Sequence, residues 1–433
     1  MRDLASVCTI DKVWALEGKD KVQGASFVEN SYEVMVGKDI QPGDLVAFIQ
    51  EGALLPEVPT WEFLRKLNCY KESEKAFLIK CKKFKEIKSW GLCLRLNEIG
   101  LDDCKAESLK AGDDLTDLLK IRKYEPAEDA SPQKKKDNKL IDFCFKHVML
   151  KWIGNLYVKL IKTDGSSFPS DIISKSDETT IQNYKGMLEK FADAEVYTSC
   201  KMEGQSATFL WKMKNGKPDA FMACSRNNGF TVKNKNWLEK IIDKIFHVSN
   251  KTSNDFYATA NYFEIPQKIL DYYKRTGIML VIQGEQCGAG IQSNIYNFAT
   301  PWLFVYTMKD QITGKQLSMK DVQKACYELN LPTVPIIETA KLKDIMPDID
   351  TAVSYAEKRY WIIDNGTLNP YYVPNKNEKL WKNYCQHEGV VVRTTDYDKD
   401  NNIGCSFKVK NIDYASKTLQ EIANVFKGEK TNG

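Results

Sequence analysis

Two hydrophobic rhythms divide the chain. Up to about residue 97, apolar positions come in short runs: Tyr32–Val36, Leu45–Ile49, Phe77–Cys81 and Leu92–Leu96. Turn signals such as Pro42-Gly43-Asp44 separate them. In the last run Leu92, Leu94 and Leu96 alternate with Cys93 and Arg95, the period of a half-buried strand. Short strands at this density predict a small β-barrel. An OB-fold is one candidate and any other compact β-module an equal one.

After Leu140 the pattern is mixed. The spacing predicts a helix from near Asp177, capped by Ser176, with Ile181, Tyr184, Met187, Leu188 and Phe191 on one face. Further helices are expected over Pro266–Lys274, Ser318–Leu329 and Tyr414–Phe426. Runs rich in β-branched and aromatic residues predict strands at Glu195–Ser199, Ala207–Trp211, Phe221–Cys224, Met279–Gln283, Leu303–Tyr306, Val390–Arg393 and Ser406–Lys410.

Between these regions, Asp102 to Asn138 shifts to charge, with Asp113-Asp114, Glu125 to Asp129 and Lys134-Lys135-Lys136. This stretch reads as a solvated linker, and the lysine run as a solvated face or a phosphate contact. The expected organisation is therefore an OB-like module over 1–100, a charged linker over 101–140 and a catalytic domain over 141–433.

Composition narrows the function classes. With 43% hydrophobic and 11% aromatic residues among 433, the chain can build large cores, which excludes wholesale disorder. Lys+Arg 62 against Asp+Glu 58 leaves a charge of only +4, so any surface for a polyanion must be a local patch. The 12 cysteines are scattered with no C-x-x-C pair, which predicts reduced thiols and an intracellular, reducing compartment. Three histidines are too few to suggest a histidine metal site. The apolar stretch Ile141–Ile161 is broken by Lys146, His147, Lys151 and Lys159, and the amino terminus lacks a signal-peptide core. A soluble protein without a membrane partner is expected.

Candidate chemistry gathers at strand ends. Lys201-Met202-Glu203-Gly204 follows the strand through Tyr197, and Ser225-Arg226-Asn227 follows Phe221–Cys224. Gly284-Glu285 ends Met279–Gln283, Glu388-Gly389 opens Val390–Arg393, and Lys408-Val409-Lys410 lies on the last strand. K-x-x-G alone is weak: it recurs at Lys21, Lys88, Lys151, Lys162 and Lys274. The setting between two strands, and the ordered acidic and basic residues downstream, single out Lys201.

This series resembles motifs I, III, IIIa, IV and V of the covalent nucleotidyltransferase superfamily, which holds ATP-dependent ligases and capping enzymes. Phe168-Pro169, Ser176-Asp177-Glu178 and Gln182-Asn183 resemble the segment before motif I in RNA ligases of the T4 ligase 2 type. Gly284-Glu285-Gln286-Cys287-Gly288-Ala289-Gly290-Ile291-Gln292 resembles their extended motif III. A β-module ahead of the motifs, with about twenty residues after Lys410, resembles the Deinococcus-type RNA ligases. The motif resemblance covers roughly residues 168 to 410.

It implies an α+β chain: an OB-like barrel, then a nucleotidyltransferase (ATP-grasp-like ligase) domain of antiparallel sheets with flanking helices. It implies ATP and Mg²⁺ or Mn²⁺ as cofactors and RNA strand ends as the partner, in duplex nicks of RNA or RNA/DNA, acted on by a monomer. Lys201 would become lysyl-AMP, Glu388 would bind the catalytic metal, and Glu285 would contact ribose or metal. Arg226 would hold ribose or a nucleic-acid phosphate, Gly204 completes motif I, and Tyr306 or Phe304 would stack on adenine. Cys200 replaces a frequent glutamate, Glu203 the commoner aspartate, and Thr180 a frequent arginine.

The chemistry fits these residue types. A lysine attacks the α-phosphate of ATP only when deprotonated. Lys408 and Lys410, two apart on one strand, share a face, and their charges are expected to lower the pKa of Lys201 and to stabilise the transition state. A capping guanylyltransferase or DNA ligase shares the motifs, but both usually add an OB-fold after motif V. A non-catalytic nucleic-acid-binding relative is the alternative from a different class.

Overall fold

The computed structural model describes residues 4–83, 87–124, 164–233, 255–288, 291, 294, 296, 298–357, 359–364, 367–372 and 384–415. Among them every strand ladder that forms a sheet is antiparallel.

In the amino-terminal domain five strands run in the spatial order Gly91–Arg95, Leu45–Gln50, Ala5–Ala15, Val22–Phe27 and Glu33–Gly37. The strand Ala5–Ala15 pairs first with Leu45–Gln50 and, past an irregularity between Ile10 and Lys12, with Val22–Phe27. Such a bulge bends a strand round a barrel corner. Closure comes where the Trp90 N–H donates to the Glu33 carbonyl at 3.0 Å. The expected barrel is present. Its last strand departs from the simple alternation, because Cys93 is buried as well and Leu92 and Leu94 are half-buried.

The stretch expected to be linker is corrected in its first part. Residues 109–124 fold back onto this domain: Arg122–Lys123 pairs with Ala53–Pro56, and Leu115, Leu119 and Ile121 enter a core with Trp61 and Phe77. These apolar residues are spaced too widely among charges to register as a pattern. Residues 125–140, with the lysine run, lie outside the described residues.

Two larger sheets build the carboxy-terminal domain, beside a three-stranded one in the order Thr367–Tyr372, Arg359–Asp364, Tyr384–Gln386. Six strands run in the order Asp164–Ser167, Asn228–Lys233, Lys217–Cys224, Gln205–Lys214, Leu280–Gly288, Pro301–Asp310. The second sheet is Ile336–Lys341, Glu195–Cys200, Gly389–Thr394, Ser406–Lys410. Helices Asp255–Tyr262, Ile265–Thr276 and Met319–Leu329 pack on the six-stranded sheet around Phe209, Ile282 and Val305. Ser318 caps the last of them, accepting from the Asp321 N–H at 3.2 Å.

The helix expected from Asp177 does not form. Residues 174–179 form neither helix nor strand, and only a short turn at Ile181–Asn183 and the helix Met187–Lys190 follow. Tertiary partners outcompete the local pattern: the Lys408 N–H donates to the Thr179 carbonyl at 2.9 Å, and Ser176 gives its hydroxyl to the cavity described below. Of the expected helix Tyr414–Phe426, the described part is a turn at Ile412–Ala415. No helix among the described residues is long and apolar enough to cross a membrane.

The domains meet through a shared apolar cluster. It runs from Phe48 and Trp90 of the barrel to Val392 and Phe407 on the back of the four-stranded sheet. The Ser31 N–H donates to the Gln182 carbonyl at 2.9 Å, and the Gln50 amide donates to Asn183 at 3.2 Å.

Candidate active site

Strand periodicity builds the cavity. Along Glu195–Cys200, Val196 enters the apolar cluster behind the sheet while Tyr197 and Ser199 face the cavity. On the neighbouring strands Val391, Arg393 and Lys408 face it, and Val392 and Phe407 face away. The cavity measures about 350 Å³. Lys201, Gly204, Arg226, Glu285, Tyr306, Glu388 and Lys408 all line it. Seven of the nine residues expected at the site thus converge.

Lys201 follows directly on its strand, and its N–H donates to the Gly389 carbonyl at 3.0 Å. Two glycines permit the close approach. A Cβ on Gly389 would lie 2.2 Å from the Val409 carbonyl oxygen. One on Gly204 would lie 2.4 Å from the carbonyl oxygen of Gln286, next to Glu285 on the adjoining strand. The motif glycine therefore seats the lysine loop against the strand that carries a carboxylate.

Three carboxyls surround the Lys201 amine, which donates to Glu388. Burial pushes the pKa of the amine down, but Glu388, Glu203 and Glu285 outweigh burial and hold it at about 12. Burial pushes the Glu285 carboxyl up to about 8; Lys201 and Arg226 offset this only in part, and Glu388 adds to the rise. Burial, and then Glu388, lift Glu203 well above the usual carboxylate range. Glu203 is further fixed by the Tyr414 hydroxyl at 3.2 Å, and its N–H donates to the Tyr296 hydroxyl at 2.8 Å.

The expectation that Lys408 and Lys410 lower the Lys201 pKa is corrected: the dominant charges at the amine are the glutamates. Lys410 shares a strand with Lys408 but does not line the cavity. It donates to Glu51 of the amino-terminal domain. Lys408 lies 3.9 Å from Asp177.

Of the two aromatics expected at adenine, Tyr306 lines the cavity and Phe304 does not. The Tyr306 hydroxyl meets Ser176 at 2.7 Å and Ser206 at 2.9 Å, and these two serines lie 2.8 Å apart. Phe304 packs into the aromatic core, 5.7 Å from Trp302. Pairing shifts from Gln283↔Thr307 to Gly284↔Val305, so residue 306 is the extra residue of a bulge. That bulge breaks the alternation that made the two aromatics equivalent in the sequence.

Several cavity residues escaped the sequence reading. Arg393, recorded only as a strand end, is buried and donates to Glu178 at 2.6 Å, to the Tyr306 carbonyl at 3.0 Å and to Thr307 at 3.1 Å. Asp177 and Glu178 belong to the segment that resembles the one before motif I, but no role is expected of them there. Lys123 and Tyr124, from the amino-terminal domain, also line the cavity; no local signal marks residues whose role depends on domain docking. Cys200 lines the cavity with its thiol 3.9 Å from the His387 ring. Thr180, where relatives often carry arginine, is buried beside Lys408.

A lysine amine among carboxylates, facing a cationic end and an aromatic, in a cleft between two antiparallel sheets beside an OB barrel, matches a nucleotidyltransferase fold. The chain belongs to the RNA ligase family, whose sequence model matches residues 194–410, half of the chain. A model of an OB-fold domain matches residues 4–96. Among solved structures the fold is similar to Naegleria gruberi RNA ligase with pyrophosphate, at 18% identity and a TM-score of 0.66, covering 97% of this chain and 100% of that one. It is also similar to a variant of that ligase with ATP and Mn, at 17% identity and a TM-score of 0.65, covering 96% of this chain and 97% of that one. At this identity the likeness establishes the fold. A search of curated proteins finds no match.

Proposed function

We propose that this protein is an ATP-dependent RNA ligase that seals a 3′-hydroxyl to a 5′-phosphate, with nicks in duplexes as its preferred substrate. One observation carries the reading: in a chain of the RNA ligase family, the amine of Lys201 shares a single cavity with Glu285, Glu388, Arg226, Tyr306 and Lys408. The complexes of the Naegleria ligase with ATP, AMP, pyrophosphate and Mn support the choice of nucleotide and metal.

The reaction runs in three balanced steps. The Lys201 amine, having lost its proton, attacks the α-phosphorus of ATP; a P–N bond forms, the bond to the β-phosphate oxygen breaks, and pyrophosphate leaves. A 5′-phosphate oxygen then takes the AMP, which frees the lysine. Finally the 3′-hydroxyl attacks the 5′-phosphorus, loses its proton and expels AMP. Each step is phosphoryl transfer, in which positioning and charge stabilisation supply the rate. Tyr306 offers a ring to adenine and Lys408 a charge to the phosphates.

The residues present fit a divalent cation. Oε2 of Glu388 is buried with no hydrogen-bond partner, and the neighbouring Glu203 and Glu285 carboxyls are pushed towards their protonated forms. Among the described residues no cluster of three or more His, Cys, Asp and Glu side chains forms a ready cage. This suits Mg²⁺ or Mn²⁺ held by one or two carboxylates together with substrate oxygens, the carboxylates here being Glu388 with Glu203 or Glu285. Such an ion supplies positive charge that relieves the carboxylates and stabilises phosphate oxygens. With those carboxylates neutralised, burial is what remains to act on Lys201, and burial favours the free amine.

Contributions from both domains to the cavity wall support a duplex substrate that spans them. The described cysteines are free thiols, which supports an intracellular, reducing compartment. The deciding experiment supplies nicked RNA duplexes, ATP and Mn²⁺ and reads strand length on a denaturing gel. Joined product with ATP and not GTP is expected; GMP attached to the protein would favour a capping enzyme, and neither product nor adduct would leave only nucleic-acid binding.

A further inference from the structure

The loop that presents Glu388 is gripped by its backbone, at three carbonyls in a row. The side-chain amide of Asn411 donates to the His387 carbonyl at 3.0 Å. The Asn411 backbone N–H donates to the Glu388 carbonyl at 3.0 Å, and the Lys201 N–H to the Gly389 carbonyl at 3.0 Å. Two of these three grips come from one residue. Asn411 is fully buried, directly follows Lys410, and does not line the cavity.

The other end of the same amide holds a second element. The Asn411 Oδ1 accepts from the N–H groups of Asp413 at 3.0 Å and Tyr414 at 3.3 Å, which caps the helical turn Ile412–Ala415. Tyr414 in turn donates its hydroxyl to Glu203 at 3.2 Å. One side chain thus reaches two of the carboxyls around the Lys201 amine: Glu388 through the loop it grips and Glu203 through the turn it caps. Donating to one carbonyl while accepting from two N–H groups takes a donor and an acceptor in one short planar unit, which asparagine supplies. Serine keeps the cap and is too short to reach His387 as well. Aspartate keeps the cap and sets an oxygen against the His387 carbonyl oxygen.

We propose that Asn411 is a positioning residue for nucleotide transfer: it fixes the loop of Glu388 and, through Tyr414, the Glu203 carboxyl, so that both meet the Lys201 amine in one geometry. This deepens the ligase reading and rests on it for the reaction that is timed. Because Asn411 stands behind the cavity wall, its main effect passes through Glu388, the partner of the amine.

The test is single-turnover labelling of the full chain with ATP and Mn²⁺, read as a rate constant and a final extent, in a double-mutant cycle with Glu388. Asn411→Ser should label about tenfold more slowly at saturating ATP, to the parent's final extent, with half-saturating ATP within about twofold of the parent's. In the Glu388→Gln background the same substitution should slow labelling less than about twofold, because the group it positions is gone. Tyr414→Phe should slow labelling about threefold. A tenfold loss in both backgrounds overturns the proposal, since Asn411 would then act without Glu388. So does the parent's rate constant with a lower final extent, the mark of a residue that serves folding alone. Should Glu388→Gln leave too little label to time, the rate constant of Asn411→Ser decides. Should Asn411→Ser not fold, that of Asn411→Asp takes its place. In either case a rate constant within about twofold of the parent's overturns the proposal. An unlabelled parent protein would sink the ligase reading itself, whereas a labelled parent matched by its Asn411 variants sinks this inference alone.

Discussion

The two ends of the cavity are charge inverses of each other. At one end a single cation, Lys201, stands among three carboxyls, Glu203, Glu285 and Glu388. At the other the Asp177 carboxylate stands among Lys123, Arg226 and Lys408. At the first end the carboxyls hold the pKa of the Lys201 amine up against burial. A divalent ion held by them would offset their charge, and the phosphates of ATP would bring negative charge to the second end. Arg226, which also acts on Glu285, links the two.

Substitutions can break this inversion end by end. The largest effect is expected at the nucleophile: Lys201→Ala should abolish the AMP-labelled band on a denaturing gel, while Lys162→Ala, at a K-x-x-G outside the described residues, keeps it. Retention of label by the first variant and its loss in the second would mean that the wrong lysine has been chosen. Next comes Glu388→Gln, which removes the partner of the amine and the carboxylate with the unpartnered oxygen. Label formation at saturating Mn²⁺ should drop about 100-fold or more; a loss under twofold would remove Glu388 from the metal and nucleophile chemistry.

A smaller effect is expected between the ends. Tyr306→Ala should raise the KM for ATP about tenfold, and Tyr306→Phe, which loses only the contacts to Ser176 and Ser206, about threefold. Equal effects would show that the hydroxyl matters more than the ring. Smallest is the domain junction. Glu51→Gln frees Lys410 from its partner and should change adenylylation about twofold, because Lys410 stands outside the cavity. A collapse of activity would instead make this ion pair part of the phosphate machinery.

What the sequence disclosed follows from where each signal resides. Strand positions were legible because period-2 burial is local: Ser406–Lys410 matches its expected bounds, and Glu195–Cys200 differs by one residue. Motif residues at strand ends were legible because their order survives in the linear chain. Long-range competition was not. Ile181 to Phe191 have helical spacing, yet the Ser176 hydroxyl and the Thr179 carbonyl at the expected helix start are claimed by Ser206, Tyr306 and Lys408. Lys123 and Glu51 reach the site region only because one domain docks on the other, and nothing near them in the chain announces it. The bulge that separates Tyr306 from Phe304 is likewise a property of strand pairing, not of the strand alone.

The central claim is that Lys201 carries the nucleotide, and peptide mapping by mass spectrometry tests it most directly. The full chain is incubated with ATP and Mn²⁺, without RNA, and then digested. The account predicts one peptide heavier by AMP, with the added mass on Lys201 and its loss on adding pyrophosphate. AMP found on a different side chain, or no adduct in a folded protein that still joins RNA, would contradict it.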